Sequence, residues 1–265
     1  MLERQLLVNK LKINYKVAGQ GQPVFILHGW GGSSDSWIKV QEILASQGYK
    51  VICPDFPGFG KSALPLEPWG VEQYAEWLNN FIKEFKDKET DAGEPFFFLS
   101  HSFGGRVAIK FSIQYPTKLK KLIFCGSAGI KIKPSLKTKI IFYLAKTGNT
   151  IFNSKYLVKF KNRARKILYL FLGRNSDYLK ARGVMRETIK KVLQEDLLSD
   201  LPKIKTKTLI VWGKDDNAVP LKCAYLFKTK IRNSRLEILP NAGHSPHLED
   251  PKKLSEIILN FLSEY

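Results

Sequence analysis

No apolar run in the 265-residue chain approaches the 18 or so residues that a membrane-spanning helix requires. Cysteine is scarce. Cys53, Cys125 and Cys223 are odd in number and far apart, which excludes a disulfide framework and any zinc-type ligand spacing. Acidic residues are outnumbered by basic ones, 24 to 43, for a formal net charge of +19. Arginine is also short: 9 of those 43, against 34 lysines. Bidentate reading of phosphates and base edges favours the planar arginine fork, so this mixture argues against a nucleic-acid partner. The excess reads as a charged, solvated surface, with transient contact to an anionic membrane or an acidic ligand as the other options. Internal repeats and low-complexity tracts are absent. The opening stretch MLERQLLVNKLKINYK carries charges throughout and lacks the apolar core of a signal peptide. With three thiols read as reduced, it points to a cytoplasmic protein.

What is present is an alternation. RQLLVNKLKINYKV gives two strands before the turn-rich AGQGQ, and PVFILHG is a continuous apolar run suited to a buried strand. SWIKVQEILASQG is helical with a glycine stop, and YKVICPD is the next strand. Residues 71–85 place Tyr74, Trp77, Leu78, Phe81, Ile82 and Phe85 at helical spacing. A strand over 95–100, a helix over about 103–115 closed by Pro116, and the strand KLIFCGS follow. TLIVWG and RLEILP are later strands, and PKKLSEIILNFLSEY is a terminal helix. Buried strands alternating with helices imply an α/β chain with a doubly wound, mostly parallel sheet.

Residues 130–200 break the rhythm with helical patterns and no convincing strand. From Lys131 to Asp196 there are 17 basic and 4 acidic residues, so the stretch carries +13 of the net charge. The expected organisation is a core of 1–129 and 201–265 with a helical cap inserted at 130–200. Its aromatics, Phe142 and Tyr143 among them, either glue cap helices together or line an entrance to a mainly apolar pocket.

Two glycine-rich stretches fail as nucleotide motifs. GWGGSS has Ser34 where a dinucleotide fingerprint needs its third glycine, and GFGKS would need a glycine at Asp55 and an immediate helix. FFFLSHSFGG fares better, as a strand breaking into a turn before a helix. A nucleophile elbow requires small residues two before and two after the nucleophile. Ser102 meets this with Ser100 and Gly104, whereas Ser100 would have Phe98 at the first position. Ser102 is therefore the candidate nucleophile; the competing role is a simple helix cap.

A serine attacking a carbonyl needs a base and a carboxylate to orient it, in the chain order serine, acid, histidine on a doubly wound hydrolase sheet. His244 in PNAGHSPH is placed to be the base. His247, the other histidine after the acid, is the lesser candidate for the base and otherwise belongs to the start of the last helix or to the pocket rim; His28 and His101, at strand ends, have structural or pocket roles. The acid lies in GKDDNAVP, where spacing leaves Asp215 and Asp216 equally open.

HGWGGSSDSW, DFPGFGKS, SHSFGG, WGKDDNAVP and AGHSPHLEDP, in this order, resemble the α/β-hydrolase superfamily over about residues 6–262. In members with tryptophan-glycine-x-x-aspartate, the aspartate is the acid and a proline follows, which maps onto Asp216 and Pro220. The resemblance also implies an oxyanion hole from the backbone N–H groups of Trp30 and Phe103 and a triad of Ser102, Asp216 and His244, and Gly29 is expected to join His28, His101, Phe142, Tyr143 and His247 in binding substrate. Ser100 departs from the family's usual glycine. A serine nucleophile sets the chain apart from the family's epoxide hydrolases and dehalogenases, which attack through aspartate.

The expected activity is hydrolysis of small to medium, mainly apolar carboxylic esters through an acyl-enzyme, with no cofactor and no metal. A lactonase uses the same groups on a cyclic ester. A carbon–carbon hydrolase of vinylogous diketones is also related, although such members often carry an aromatic after the catalytic histidine, where this chain has Ser245. From another class, a ligand receptor could use the same fold. Sequence alone leaves the oligomeric state open.

Overall fold

The computed structural model describes residues 1–88, 95–131 and 181–264. β1 (Leu2–Val8) and β2 (Leu11–Ala18) form an antiparallel hairpin whose turn residues, Asn9 and Lys10, have φ of 49° and 66°. Positive φ at both positions matches the twist of the flanking strands. β3 (Gln22–Leu27), β4 (Tyr49–Pro54), β5 (Phe96–His101), β6 (Leu119–Cys125), β7 (Thr208–Gly213) and β8 (Ser234–Leu239) complete one eight-stranded sheet. Its order is β1-β2-β4-β3-β5-β6-β7-β8, with β1–β2 and β2–β4 antiparallel and all other pairs parallel.

Side chains alternate between the two faces, and both faces are covered, which is why the strands read as continuous apolar runs. Val24, Ile26, Val51, Phe97, Leu99, Ile123 and Val211 pack with Val40 and Leu44 of α1 (Ile38–Ser46) and with Leu254, Ile258 and Phe261 of the C-terminal helix (Pro251–Ser263). The intervening Phe25, Phe96 and Phe98 face the other way. Phe25 meets Phe85 of α2 (Val71–Lys88) edge-on, and Phe98 packs on Phe111 of α3 (Phe103–Gln114). Each such ring pair adds about 0.5–1.5 kcal/mol beyond its buried area.

Three more helices are described: α4 (Gly183–Gln194), α5 (Lys222–Lys230) and the single turn α6 (Pro246–Glu249), which precedes the C-terminal helix, α7. Contacts divide the chain into a unit of Met1–Ile130 with Ala181–Tyr265 and a second unit of Lys131–Lys180, whose residues beyond Lys131 lie outside the described ones. α4, placed in the insertion by the sequence pattern, belongs to the first unit. Arg106 Nη1 donates to the carbonyls of Val192 (3.1 Å) and Glu195 (3.0 Å) at its C-terminal end. The Trp69 N–H donates to Thr188 Oγ1 at 3.2 Å, and the Val71 N–H to Glu195 Oε1 at 2.8 Å.

The chain winds from β3 to β4 on one side and then to β5 on the other. The crevice beyond the carboxyl ends of β3 and β5 is therefore the switch point where open α/β sheets bind ligands.

Candidate active site

Ser102 stands between β5 and α3 with φ 49° and ψ −114°, a strained conformation for a residue with a Cβ. Strain of this kind persists only where the surroundings over-determine it. At Gly104 a Cβ would lie 2.3 Å from the Leu27 carbonyl oxygen, so no other residue fits there. Ser100 is fully buried, and its Oγ donates to the Ile123 carbonyl of the neighbouring strand at 3.0 Å. That bond accommodates a hydroxyl where the family usually has glycine. The Ser102 side chain makes no capping hydrogen bond to α3.

Instead Ser102 Oγ lies 3.1 Å from His244 Nε2, and His244 Nδ1 lies 2.8 Å from Asp216 Oδ2. The chain brings these together from the ends of β5, β7 and β8. The two adjacent aspartates separate by burial: the Asp216 carboxylate is fully enclosed, while Asp215 is exposed. Asp216 Oδ1 accepts the N–H groups of Ala218 (2.9 Å) and Val219 (2.8 Å), which fixes the carboxylate and leaves Oδ2 for the imidazole. The carboxylate can accept only from an Nδ1–H, so Nε2 is the nitrogen free to take a proton from Ser102.

The backbone N–H groups of Trp30 and Phe103 make no hydrogen bond to another described residue. Trp30 is half-buried, and its ring packs edge-on against Phe59 (4.8 Å) and Phe103 (5.3 Å). With the Phe59–Phe103 contact, the three rings form one apolar cluster. Gly29 is buried, and its carbonyl accepts from the Gly32 N–H and from His28 Nδ1.

The other three histidines are all buried. His28 is fully buried, with Nδ1–H donating to the Gly29 carbonyl at 2.7 Å and Nε2 accepting from the Phe56 N–H at 3.0 Å. Neither nitrogen is left for a ligand, and burial lowers its pKa. His101 and His247 are also buried. His247 stacks on the Trp37 indole (4.1 Å between centroids), and burial brings its pKa down to about 4. Phe142 and Tyr143 lie outside the described residues. Among the described residues, no three His, Cys, Asp or Glu side chains assemble a metal-binding set, and no helix is long and apolar enough to cross a membrane.

Sequence reasoning missed two organising carboxylates, although both lie inside quoted motifs. Asp55 in DFPGFGKS is 1% exposed; Oδ1 accepts the Ser34 N–H (2.6 Å), and Oδ2 accepts Asn14 Nδ2 and the Lys61 N–H (3.0 Å each). It ties the loop after β4 to the loop that carries Trp30. Glu249 in HLEDP accepts the Ser245 N–H at 2.8 Å and the Gly243 N–H, gripping the backbone on either side of His244. The available signal was an acid beside glycine-rich loops, whose unpaired N–H groups need an acceptor.

A model of the alpha/beta hydrolase fold matches residues 22–251. The chain is 30% identical to a 2-hydroxy-6-oxo-6-(2'-aminophenyl)hexa-2,4-dienoic acid hydrolase of Metapseudomonas resinovorans, covering 99% of this chain and 91% of the relative. It is 25% identical to the monoacylglycerol lipase ABHD6 of Rattus norvegicus, over 92% and 76% of the two. Among solved structures, a serine hydrolase involved in carbazole degradation superposes with a TM-score of 0.72 at 26% identity, covering 99% of this chain and 98% of that one. A match over most of the length agrees with the sheet order and with the strained serine at the switch point, and the chain belongs to the alpha/beta hydrolase fold family.

Proposed function

We propose that this protein is a serine hydrolase of carboxylic esters with small to medium, mainly apolar acyl groups. The observation that carries the reading is the relay from Ser102 Oγ through His244 (3.1 Å) to Asp216 (2.8 Å), built on a serine held at positive φ. His244 Nε2 takes the Ser102 proton as Oγ attacks the ester carbonyl, while Asp216 holds the imidazole tautomer and stabilises its charge. The carbonyl oxygen, now an oxyanion, accepts from the Trp30 and Phe103 N–H groups; each such donor is worth about 10²–10³ in rate. The tetrahedral adduct collapses to an acyl-serine, and the alcohol leaves with the proton from His244. Water, deprotonated by His244, releases the acid and regenerates Ser102. The aromatic cluster of Trp30, Phe59 and Phe103, which includes both proposed oxyanion-hole residues, is the support for an apolar acyl group.

A second reading, carbon–carbon bond hydrolysis of vinylogous diketone acids, is favoured by the name of the 30% identical relative. Ser245, not an aromatic residue, follows the candidate base, and this ranks the ester first. Hydrolysis of p-nitrophenyl esters of increasing acyl length, of simple lactones and of dienoate diketones, with wild type and Ser102→Ala, tests both. Short-to-medium esters turned over only by wild type support the first reading; a diketone cleaved faster than any ester overturns it.

A further inference from the structure

We infer that His101 is a positioning residue for the base: its Nε2–H donates to the backbone carbonyl of His244 at 2.8 Å and ties the residue before the nucleophile directly to the loop carrying the imidazole. The inference rests on the reading of Ser102, His244 and Asp216 as the working site.

The base sits on a connection between β8 and α6, and loops are the mobile parts of a fold. Its two side-chain bonds are useful only if the backbone beneath them is fixed. Glu249 holds the flanking N–H groups of Gly243 and Ser245, and both anchors are local to that loop. His101 supplies the one hydrogen bond described between the His244 backbone and the nucleophile's own segment, so it sets the spacing between the two reacting groups.

The ring of His101 has little freedom to do anything else. It is 6% exposed, with its centroid 4.6 Å from His247 and 4.8 Å from His244. Behind it, His247 lies flat on Trp37, with 7° between the rings. On its other side, a Cβ at Gly29 would come within 2.9 Å of His101 Nδ1, so only glycine fits there. A carbonyl can only accept, which places the single proton of a neutral His101 on Nε2. Burial, reinforced by the neighbouring imidazoles of His247 and His244, holds its pKa well below the ordinary value and keeps it neutral. A neutral ring 4.8 Å away adds no like charge when His244 becomes an imidazolium during turnover.

The test compares wild type, His101→Phe, His101→Gln and Ser102→Ala on the p-nitrophenyl ester that wild type hydrolyses fastest, with rates of fluorophosphonate labelling and thermal midpoints alongside. Phe keeps a ring but has no donor; the Gln amide puts an N–H where the imidazole Nε2–H stands. His101→Phe should lower kcat about ten- to a hundredfold, the scale of a small misplacement of a reacting group. KM should stay within about twofold, since a buried side chain behind the base touches no substrate, and His101→Gln should recover most of the rate. A core-packing role would not give this split, because Gln fits a ring-shaped site worse than Phe does. If His101→Phe does not fold, His101→Leu serves as the donor-free variant. A donor-free variant with wild-type kcat, or a Gln variant as slow as it, overturns the inference while an inactive Ser102→Ala leaves the site reading standing. Activity retained in Ser102→Ala overturns the site reading, and this inference with it.

Discussion

Replacing Asp55 should damage both stability and turnover, and two substitutions separate its bonds. Two of its three hydrogen bonds, from the Ser34 N–H and from Asn14 Nδ2, are fully buried, while the Lys61 N–H is near enough to the surface to find water. Asp55→Ala leaves two buried donors without acceptors. At roughly 1–3 kcal/mol for each orphaned group, the loss is about 2–6 kcal/mol, a large part of the stability of an ordinary domain. Asp55→Asn keeps the shape but has one acceptor oxygen. Turned towards Asn14 and Lys61, it sets its amide N–H₂ against the Ser34 N–H; turned the other way, it loses the other two donors. At least one buried bond is lost, so Asn should cost about 1–3 kcal/mol, clearly less than Ala. Urea unfolding at neutral pH, with equal m-values for the three proteins, reads these differences as midpoint shifts. The Ser34 tether is four residues from Trp30, so ester turnover should fall about tenfold in Asp55→Asn as that N–H loses its aim. The reasoning is refuted if the Ala variant is as stable as wild type, or if Asn is as damaging as Ala.

Ser100→Gly should cost about 1–2 kcal/mol, from the lost hydrogen bond to Ile123 and the greater freedom of glycine in a strand, with fluorophosphonate labelling of Ser102 within about threefold of wild type. Equal stability, or loss of labelling, refutes it. Acidification should destabilise the fold between pH about 6.5 and about 4. In that window His247, with its pKa lowered to about 4, is neutral when folded and protonated when unfolded, so the unfolded state binds more protons. Its share is on the order of 3 kcal/mol. His28 and His101, also lowered, act in the same direction. His247→Phe, which can still stack on Trp37, should lose less stability between pH 7 and pH 5 in urea unfolding; an unchanged loss would count against this assignment.

The strands were legible because a parallel sheet covered on both faces leaves no polar alternation to confuse the pattern: β5 and β7 are buried at every position. The helices facing that sheet were legible from their apolar stripes. α5 was not anticipated, since it buries only Cys223, Ala224 and Phe227 and is otherwise lysine-rich and partly exposed. α4 was recognised as a helix, but its ties to the core are hydrogen bonds from Arg106, Trp69 and Val71, made across 86, 119 and 124 residues, that no periodicity reveals.

The same limit explains the histidines. Chain order sets His244 and His247 apart from His28 and His101, because the base must follow the acid, but it says nothing of which way a ring leaves the end of a strand. His28 and His101 stand at the ends of neighbouring strands, and both hydrogen-bond to the backbone, His28 to Gly29 and Phe56, His101 to His244. Ser102 and His244 could be singled out because the proposed chemistry demands particular residue types at particular turns. The groups that aim them, Asp55, Glu249 and His101, act on backbone N–H and carbonyl groups, which every residue carries. A motif therefore marks the reacting atoms more sharply than the atoms that hold them in register, and at this site that second set is the larger.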